Sequence, residues 1–489
     1  MTARLESFVP AAAPEVTTPP APQPANASTL HQREVRRAAH EALLTRWKAI
    51  LEAGGADAWV QGQLASRGLA VGDLDSSRAS EKEKTAWKEK KKAEATERRA
   101  LERQAHEAWK ATHVGHLGPG VHWSESESPD KFDIAHREER AKANGLPELG
   151  SAEALAKALG LSVSKLRWFA FHREVDTGSH YVSWGIPKRD GGTRTITSPK
   201  PELKEAQRWV LSNVVERLPV HGAAHGFVAG RSILTNALAH QGADVVVKVD
   251  LKDFFPSVTW RRVKGLLRKG GLPENTSTLL ALMATEAPRE TVQFRGKTLY
   301  VAKGPRALPQ GAPTSPGITN ALCLKLDKRL SALSKRLGFT YTRYADDLTF
   351  SWMKAKQPKA RRAQGAPVAV LLARVKEVVE SEGFRLHPDK TRVARKGTRQ
   401  RVTGLVVNEA QGRPAARVPR DVVRRLRAAI HNRLKGKPGR EGESLEQLKG
   451  MAAFVHMTDA ARGRAFLQQL SQLEAREKQA SAEPAPKAG

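Results

Sequence analysis

The chain has 489 residues, with 82 Lys and Arg against 51 Asp and Glu, 40% hydrophobic residues and a formal net charge of +31. That length allows two or three domains and more than one sizeable core. So large a positive excess disfavours a compact state unless a polyanion neutralises it, and nucleic acid is a better candidate than an anionic membrane surface.

No run of about 18 apolar residues indicates a membrane span. The N-terminus lacks the basic-then-apolar order of a secretory signal. The single cysteine, Cys323, excludes an internal disulfide and any zinc site with two or more Cys ligands. It reads as a small buried hydrophobe. A soluble, cytoplasmic, polyanion-binding protein with no membrane partner is the expectation.

In chain order, residues 1–30 are rich in Pro and Ala, poor in charge, and predict a disordered tail. Val35, Ala39, Leu43, Trp47 and Ile50 recur at helical spacing, up to a break at Gly54-Gly55. Residues 81–110 hold ten basic and seven acidic side chains with no Gly or Pro, which predicts one long solvated helix with mixed-sign pairs. It reads either as a charged spacer or as an RNA-gripping arm. Residues 115–130 look like a linker, so 31–150 is expected to form a helical, charged N-terminal extension.

From Ser151 the pattern changes. "HYVSWGIPKRDGGTRTITSPK" predicts a β-hairpin turning at Asp190-Gly191-Gly192. "PELKEAQRWVLSNVVERL" predicts a helix with Leu203, Trp209, Val210, Val214 and Leu218 inward. "ADVVVKVDLKDFF" reads as a buried strand ending in charge. "TYTRYADDLTFSW" reads as strand, tight turn, strand; 368–382 is helical; "RVTGLVVN" is again a strand. From Val418 to Leu470 the chain is helical and basic, with ten basic side chains and one acid, Asp421, over 413–440. A loose tail follows from 476 to 489.

Three carboxylates carry the chemical signal. Asp250 ends one strand, while Asp346 and Asp347 sit together in the turn of another hairpin. A lone Asp-Asp is usually a solvated turn. Here Tyr344, Leu348 and Phe350 make it part of a sheet. If the two segments are neighbours, three like charges converge and require cations. Mg²⁺ suits them: it is hard, prefers oxygen ligands, and shares its positions with water and substrate phosphates. Two such ions about 3.5–4 Å apart support in-line nucleotidyl transfer.

These residues resemble the palm of reverse transcriptases. "VKVDLKDFFPSV", "LPQGAPTSP", "YADD", "HPDK" and "VTGLVVN" are similar to five of that family's sequence blocks, in the family order, and the resemblance spans about 165–475. "NALAH" (236–240) and Val402-Thr403-Gly404 resemble the elements that mark bacterial retron reverse transcriptases. The long N-terminal extension resembles that of the myxobacterial type. Group II intron-like or diversity-generating enzymes, and a non-catalytic RNA-binding scaffold, are the alternatives.

The resemblance implies an α+β right-hand polymerase. Fingers and palm would occupy 151–415 around an antiparallel palm sheet, and a helical basic thumb 416–475. The implied activity is RNA-directed DNA synthesis. It would copy part of a cognate non-coding RNA, primed from an internal guanosine 2′-OH, to give branched RNA-linked single-stranded DNA in anti-phage defence. Asp250, Asp346 and Asp347 would hold two Mg²⁺ ions, with the Leu251 carbonyl assisting. Phe255 would be a steric gate against the 2′-OH that distinguishes the two sugars, with Phe254 in the core. Lys188, Arg194, Gln310, Gly311 and Lys390 would contact the incoming dNTP. Val402, Thr403 and Gly404 would grip the primer. Asn236 and His240 would either touch structured RNA or pack within the fold, and Arg231, near the template, stands the same way. Arg417, Arg420, Arg424, Arg427 and Arg433 would track phosphates. A retron effector protein and a host RNase H are the implied partners.

Overall fold

The computed structural model describes residues 27–75, 78–125, 135–187, 191–409, 411–412, 414–437, 439 and 443–482. The chain divides into two compact units, residues 1–113 and 114–489. The expected extension over 31–150 is therefore split. Val114, Leu117 and Leu149 are buried in the core of the larger unit, so the "linker" is in part core.

The first unit is helical: Ala27–Glu52, Ala56–Ser66 and Glu81–Thr112. The break falls at the paired glycines, as the sequence predicts. The long helix opens with a capping box in which Ser80 and Glu83 bond reciprocally. Its apolar stripe is thin. Leu101 packs with Val60 and Leu64, and Ala105 and Ala108 pack with Ile50.

The larger unit is built on strands β1 (Val175–Asp176), β2 (Tyr181–Pro187), β3 (Thr193–Pro199), β4 (Val245–Asp250), β5 (Arg289–Phe294), β6 (Lys297–Ala302), β7 (Phe339–Tyr344), β8 (Asp347–Trp352), β9 (Arg392–Arg395), β10 (Arg401–Val402) and β11 (Leu405–Val406). The central sheet has the order β7-β8-β4-β9, and all its pairings are antiparallel. Period-two alternation sorts its side chains onto two faces. Val245, Val247, Val249, Leu348, Phe350, Trp352, Phe339 and Tyr341 enter the main core. That core includes Leu326, Leu330 and Leu333 of helix Leu324–Leu337, and Leu371, Val375 and Val379 of helix Val368–Ser381. The other face carries Lys248, Asp250, Asp347, Thr349, Ser351 and Thr342, by the register that pairs Asp250 with Asp347 and Thr342 with Thr349.

β2 and β3 form the predicted hairpin. Its turn residues Lys188 to Asp190 lie outside the described residues. Val182, Trp184 and Ile186 leave an exposed apolar row on one of its faces.

Three helices, Arg420–Leu434, Leu445–Thr458 and Ala460–Ala482, close a second core around Leu426, Ile430, Leu448, Val455, Phe466 and Leu470. The last helix runs on to Ala482, into the stretch read from sequence as a loose tail. Its Ala, Glu, Lys and Gln residues are strong helix formers. The first helix begins at Ala27, inside the other expected tail; the rest of both tails lies outside the described residues. Among the described residues no helix is long and apolar enough to cross a membrane.

Candidate active site

The two carboxylate segments meet. Asp250, the last residue of β4, is the cross-strand partner of Asp347, the first residue of β8. Paired residues of this kind have Cα atoms about 4.5–5.5 Å apart. The Leu251 amide donates to the Asp346 carbonyl at 2.9 Å, which pins the turn to the strand end.

That turn is strained. Ala345 has φ of 53°, a region that costs a non-glycine residue energy and persists only where the surroundings enforce it. The enforcing groups are legible. Arg343, fully buried, donates from Nη1 to the Ala345 carbonyl at 3.2 Å and to Asn320 Oδ1 at 3.0 Å. Its Nε and Nη2 form a two-pronged pair with the equally buried Asp327, at 2.9 and 2.8 Å. Tyr341 donates to the same carboxylate at 2.8 Å. Asn320 donates onward to the Gly226 carbonyl at 2.8 Å. A Cβ at Gly226 would lie 2.8 Å from the Ala345 nitrogen, so only glycine allows that approach. Phe227 beside it is exposed and faces Tyr344, with ring centroids 6.3 Å apart.

Two lysines compensate the acids. Lys248 Nζ lies 2.7 Å from Asp347 Oδ2, and Lys390 Nζ lies 2.9 Å from Asp250 Oδ1. Among the described residues no group of three or more His, Cys, Asp or Glu side chains is arranged to hold a metal ion. Asp346 has no lysine paired with it among the described residues, and Lys390 is only a minor pull on it. Burial first, then the charge of Asp250, raise its carboxyl above the ordinary range. Burial raises Asp347 as well, against the opposing pull of Lys248. Crowded oxygen donors destabilised as anions fit a hard divalent cation.

Phe254 is buried and packs on Phe384 at 5.7 Å. Phe255 is half-buried at the edge of that core. The Gln310 carbonyl accepts from the Thr197 amide of β3 at 2.6 Å. Gly311, with φ of 123°, brings its backbone so close that a Cβ would meet Ile196 Cγ2 at 2.9 Å. Arg194 is exposed on β3, opposite Ile186, and Lys188 falls outside the described residues. Arg420, Arg424 and Arg427 are exposed and share one helix face by their spacing.

Several residues expected to touch nucleic acid do other work. His240 is fully buried; its Nδ1 bonds Ser351 Oγ and its Nε2 bonds Thr342 Oγ1, both at 2.7 Å. It ties a short helix, Ile233–Leu238, to the polar face of the sheet. Asn236 is also fully buried, without a hydrogen-bond partner for its amide among the described residues. Val402 is buried in the second core. Thr403 and Gly404 form a two-residue turn with φ of 44° and 86°, the left-handed pair that a tight hairpin needs. The Thr403 hydroxyl donates to the Ile233 carbonyl at 2.9 Å. Helix Ile233–Leu238, which carries Asn236, is thus tied to the 402–404 turn, and Ala237 shares a core with Val402. Arg231 donates to the Gly222 and Ala224 carbonyls. Arg417 donates to Asn408 and Arg433 to Glu443. These three guanidiniums brace loops, because a buried or half-buried carbonyl needs a donor.

His240 supplies a pH prediction. Burial pushes its imidazole down to about 3, with His225 a smaller contribution. The unfolded chain binds that proton near pH 6.5. The native state resists it, so the stability tied to neutral His240 is present above pH 6.5 and is lost as the pH falls toward 3. The loss approaches about 1.4 kcal/mol per pH unit. Urea unfolding at stepped pH is expected to show a shallower acid slope in His240→Asn than in the parent. Equal slopes would refute a neutral buried imidazole.

Residues 186–408 match the family described as Reverse transcriptase (RNA-dependent DNA polymerase). Three relatives sharpen this. The chain is 82% identical over 475 residues to the Retron Mx162 reverse transcriptase of Myxococcus xanthus, covering 97% of this chain and 98% of that one. It is 43% identical to the Retron Mx65 reverse transcriptase of the same organism, covering 66% and 72%. It is 31% identical to the Retron Ec86 reverse transcriptase of Escherichia coli, covering 68% and 93%. The chain belongs to the retron reverse transcriptases. It is an RNA-directed DNA polymerase, of a family that uses divalent metal ions.

The sequence reading missed Lys248, Arg343, Asp327 and Phe227. Lys248 had a signal: two residues before Asp250, strand alternation puts it on the same face. Arg343 and Asp327 had none, since one lies on β7 and the other on helix Leu324–Leu337, sixteen positions apart in the chain, and only packing unites them.

Proposed function

We propose that the enzyme copies part of a cognate structured RNA, beginning at the 2′-OH of an internal guanosine, and so makes single-stranded DNA joined to RNA by a branch. The observation that carries this reading is the pairing of Asp250 with Asp347, with Asp346 in the turn beside them, in a chain so similar to retron enzymes. Asp250 and Asp346 are the chief ligands of two Mg²⁺ ions in this reading, with Asp347 and the Leu251 carbonyl assisting. Held by these residues, such ions would supply a lowered pKa for the attacking hydroxyl and stabilisation for the leaving oxygen. Lys390 and Lys248 neutralise Asp250 and Asp347. Arg194 and Lys188 close on the triphosphate, and Lys390 is within reach of it. Gln310 and Gly311 support the sugar and base, and the exposed arginines 420, 424 and 427 follow the template–primer backbone.

The test is to sequence the nucleic acid that co-purifies. One short structured RNA covalently joined to DNA is the expected outcome. DNA without a branch, or copies of many unrelated templates, would favour an intron-like or diversity-generating enzyme. The wider roles belong to the same proposal: an effector partner, host RNase H and defence against phage.

Phe255 tests the sugar selectivity. The half-buried ring is read as blocking a 2′-OH, while Phe254 maintains the core. Phe255→Val is therefore expected to lower the ratio of kcat/KM for dNTP over rNTP by roughly 10–100-fold, the scale of a pocket change of a few carbons. DNA synthesis should continue. An unchanged ratio would remove Phe255 from the gate.

A further inference from the structure

The long helix of the first unit sorts its charges, which its composition does not reveal. On the side turned to its own unit, acids and bases neutralise each other. Glu94 pairs with Lys91 at 3.1 Å and with Arg98 at 2.8 Å. Glu97 pairs with Arg67, and Lys91 also donates to the Val71 carbonyl at 2.7 Å. On the outer side Lys88, Lys92, Arg99, Arg103 and His106 are all exposed. Their steps of four, seven, four and three residues confine them to a sector of about 60°, at 100° per residue. Between positions 88 and 106 no other residue falls in that sector. The acids Glu89, Glu102 and Glu107 lie outside it.

The line extends about 27 Å at 1.5 Å per residue. His106 stacks on Trp109 at 5.6 Å and 10°, so the line ends on a flat ring pair. Cations four apart on a helix repel each other and weaken it. Lys88 with Lys92, and Arg99 with Arg103, are two such pairs. The inner side shows that this helix can place acids at the correct spacing; the outer side has none within the line. A polyanion removes the repulsion and releases its own counterions on binding.

We infer that this stripe is a second nucleic-acid interface, outside the polymerase unit, which takes the phosphate backbone of a structured RNA. The inference rests on the reading that the enzyme's partner is such an RNA. The first unit then has a role of its own, holding the RNA at a place that does not depend on the chemistry at Asp250 and Asp346.

The experiment uses the full-length chain and an RNA hairpin of about 20 base pairs, slightly longer than the roughly 16 that a double-stranded-RNA module spans. Lys88→Gln with Lys92→Gln is one variant, Arg99→Gln with Arg103→Gln a second, and all four together a third. Gln is a good helix former, so the helix should persist; circular dichroism checks it, and either double variant carries the test if the other unfolds. Binding is measured over a salt series. The slope of log K against log salt is expected to fall by about 0.9 for each phosphate no longer neutralised, or about 3 to 4 for the fourfold variant. Lys82→Gln with Lys90→Gln, exposed but off the stripe, should leave the slope unchanged. Primer extension on a pre-annealed template at saturating concentration should match the parent. An unchanged slope in a folded fourfold variant overturns the inference, as does an equal fall in the control. Retained RNA affinity with abolished binding to phosphatidylserine vesicles would overturn it in favour of a membrane surface. A parent that makes no DNA would defeat the functional reading while leaving the salt slopes to decide the stripe.

Discussion

Asp346→Asn is expected to reduce RNA-templated DNA synthesis by roughly 10³-fold or more, since several kcal/mol of transition-state stabilisation is at stake. The same substitution should leave the protein as stable as before, or more so. Asn keeps the shape of Asp and removes the charge. That charge is unfavourable in the native state: burial and Asp250 hold the Asp346 carboxyl above its ordinary range. A raised carboxyl means that the ionised form destabilises the fold at neutral pH, and that acidification relieves it. Activity and stability therefore move in opposite directions. Asp250→Asn should match the loss of activity, although it also releases Lys390 from its 2.9 Å contact. Primer extension on an RNA template and thermal unfolding provide the two readouts. Activity above about a tenth of the parent's, or a clear fall in Tm, would contradict a metal-binding role for these acids; a large drop of the kind expected follows from the loss of a group that acts in the transition state.

Arg343→Met is expected to cost about 3–5 kcal/mol, because it strands the Asp327 charge in the interior. Both partners are fully buried, so neither can turn to water. Arg343→Met with Asp327→Leu should be less destabilised than either single change, since a buried ion pair replaced by apolar groups of similar volume is often neutral. Synthesis should remain impaired in the double variant. Arg343 also holds the Ala345 carbonyl and Asn320, and without it the strained turn loses its support. Urea unfolding supplies the stability comparison, and kcat at saturating substrate the other. Full activity in a folded double variant would show that the turn keeps its geometry without Arg343, and would reduce the pair to a matter of stability.

The elements foreseen from sequence are those with a clean local pattern. The hairpin around Asp346, the hairpin 181–199 and the helix at 201–213 repeat at two or at 3.6 residues, the VVVKVD strand is a short apolar run ending in charge, and the helix at 81–112 is a long charged stretch without Gly or Pro, so each was legible. Helix Glu274–Ala284 has no polar face to alternate with: all but its first residue are buried, Asn275, Thr276, Ser277 and Thr278 included. A helix buried all round gives periodicity nothing to detect. The exposed hairpin Arg289–Ala302 escaped for the opposite reason, since neither face is apolar enough to mark a core.

Residue types and their order along the chain were enough to name the three acids, the antiparallel sheet that carries them and the basic helices beyond it. Those features are local: a carboxylate at a strand end keeps its meaning whatever packs behind it. Tertiary structure alone decided what surrounds them. It drew Lys390 onto Asp250, built the Arg343–Asp327 pair beneath the turn, and buried His240 between Ser351 and Thr342. Each of those outcomes depends on which distant side chain arrives within about 3 Å, the reach of a hydrogen bond. That is a property of packing in three dimensions, and no spacing along the chain encodes it.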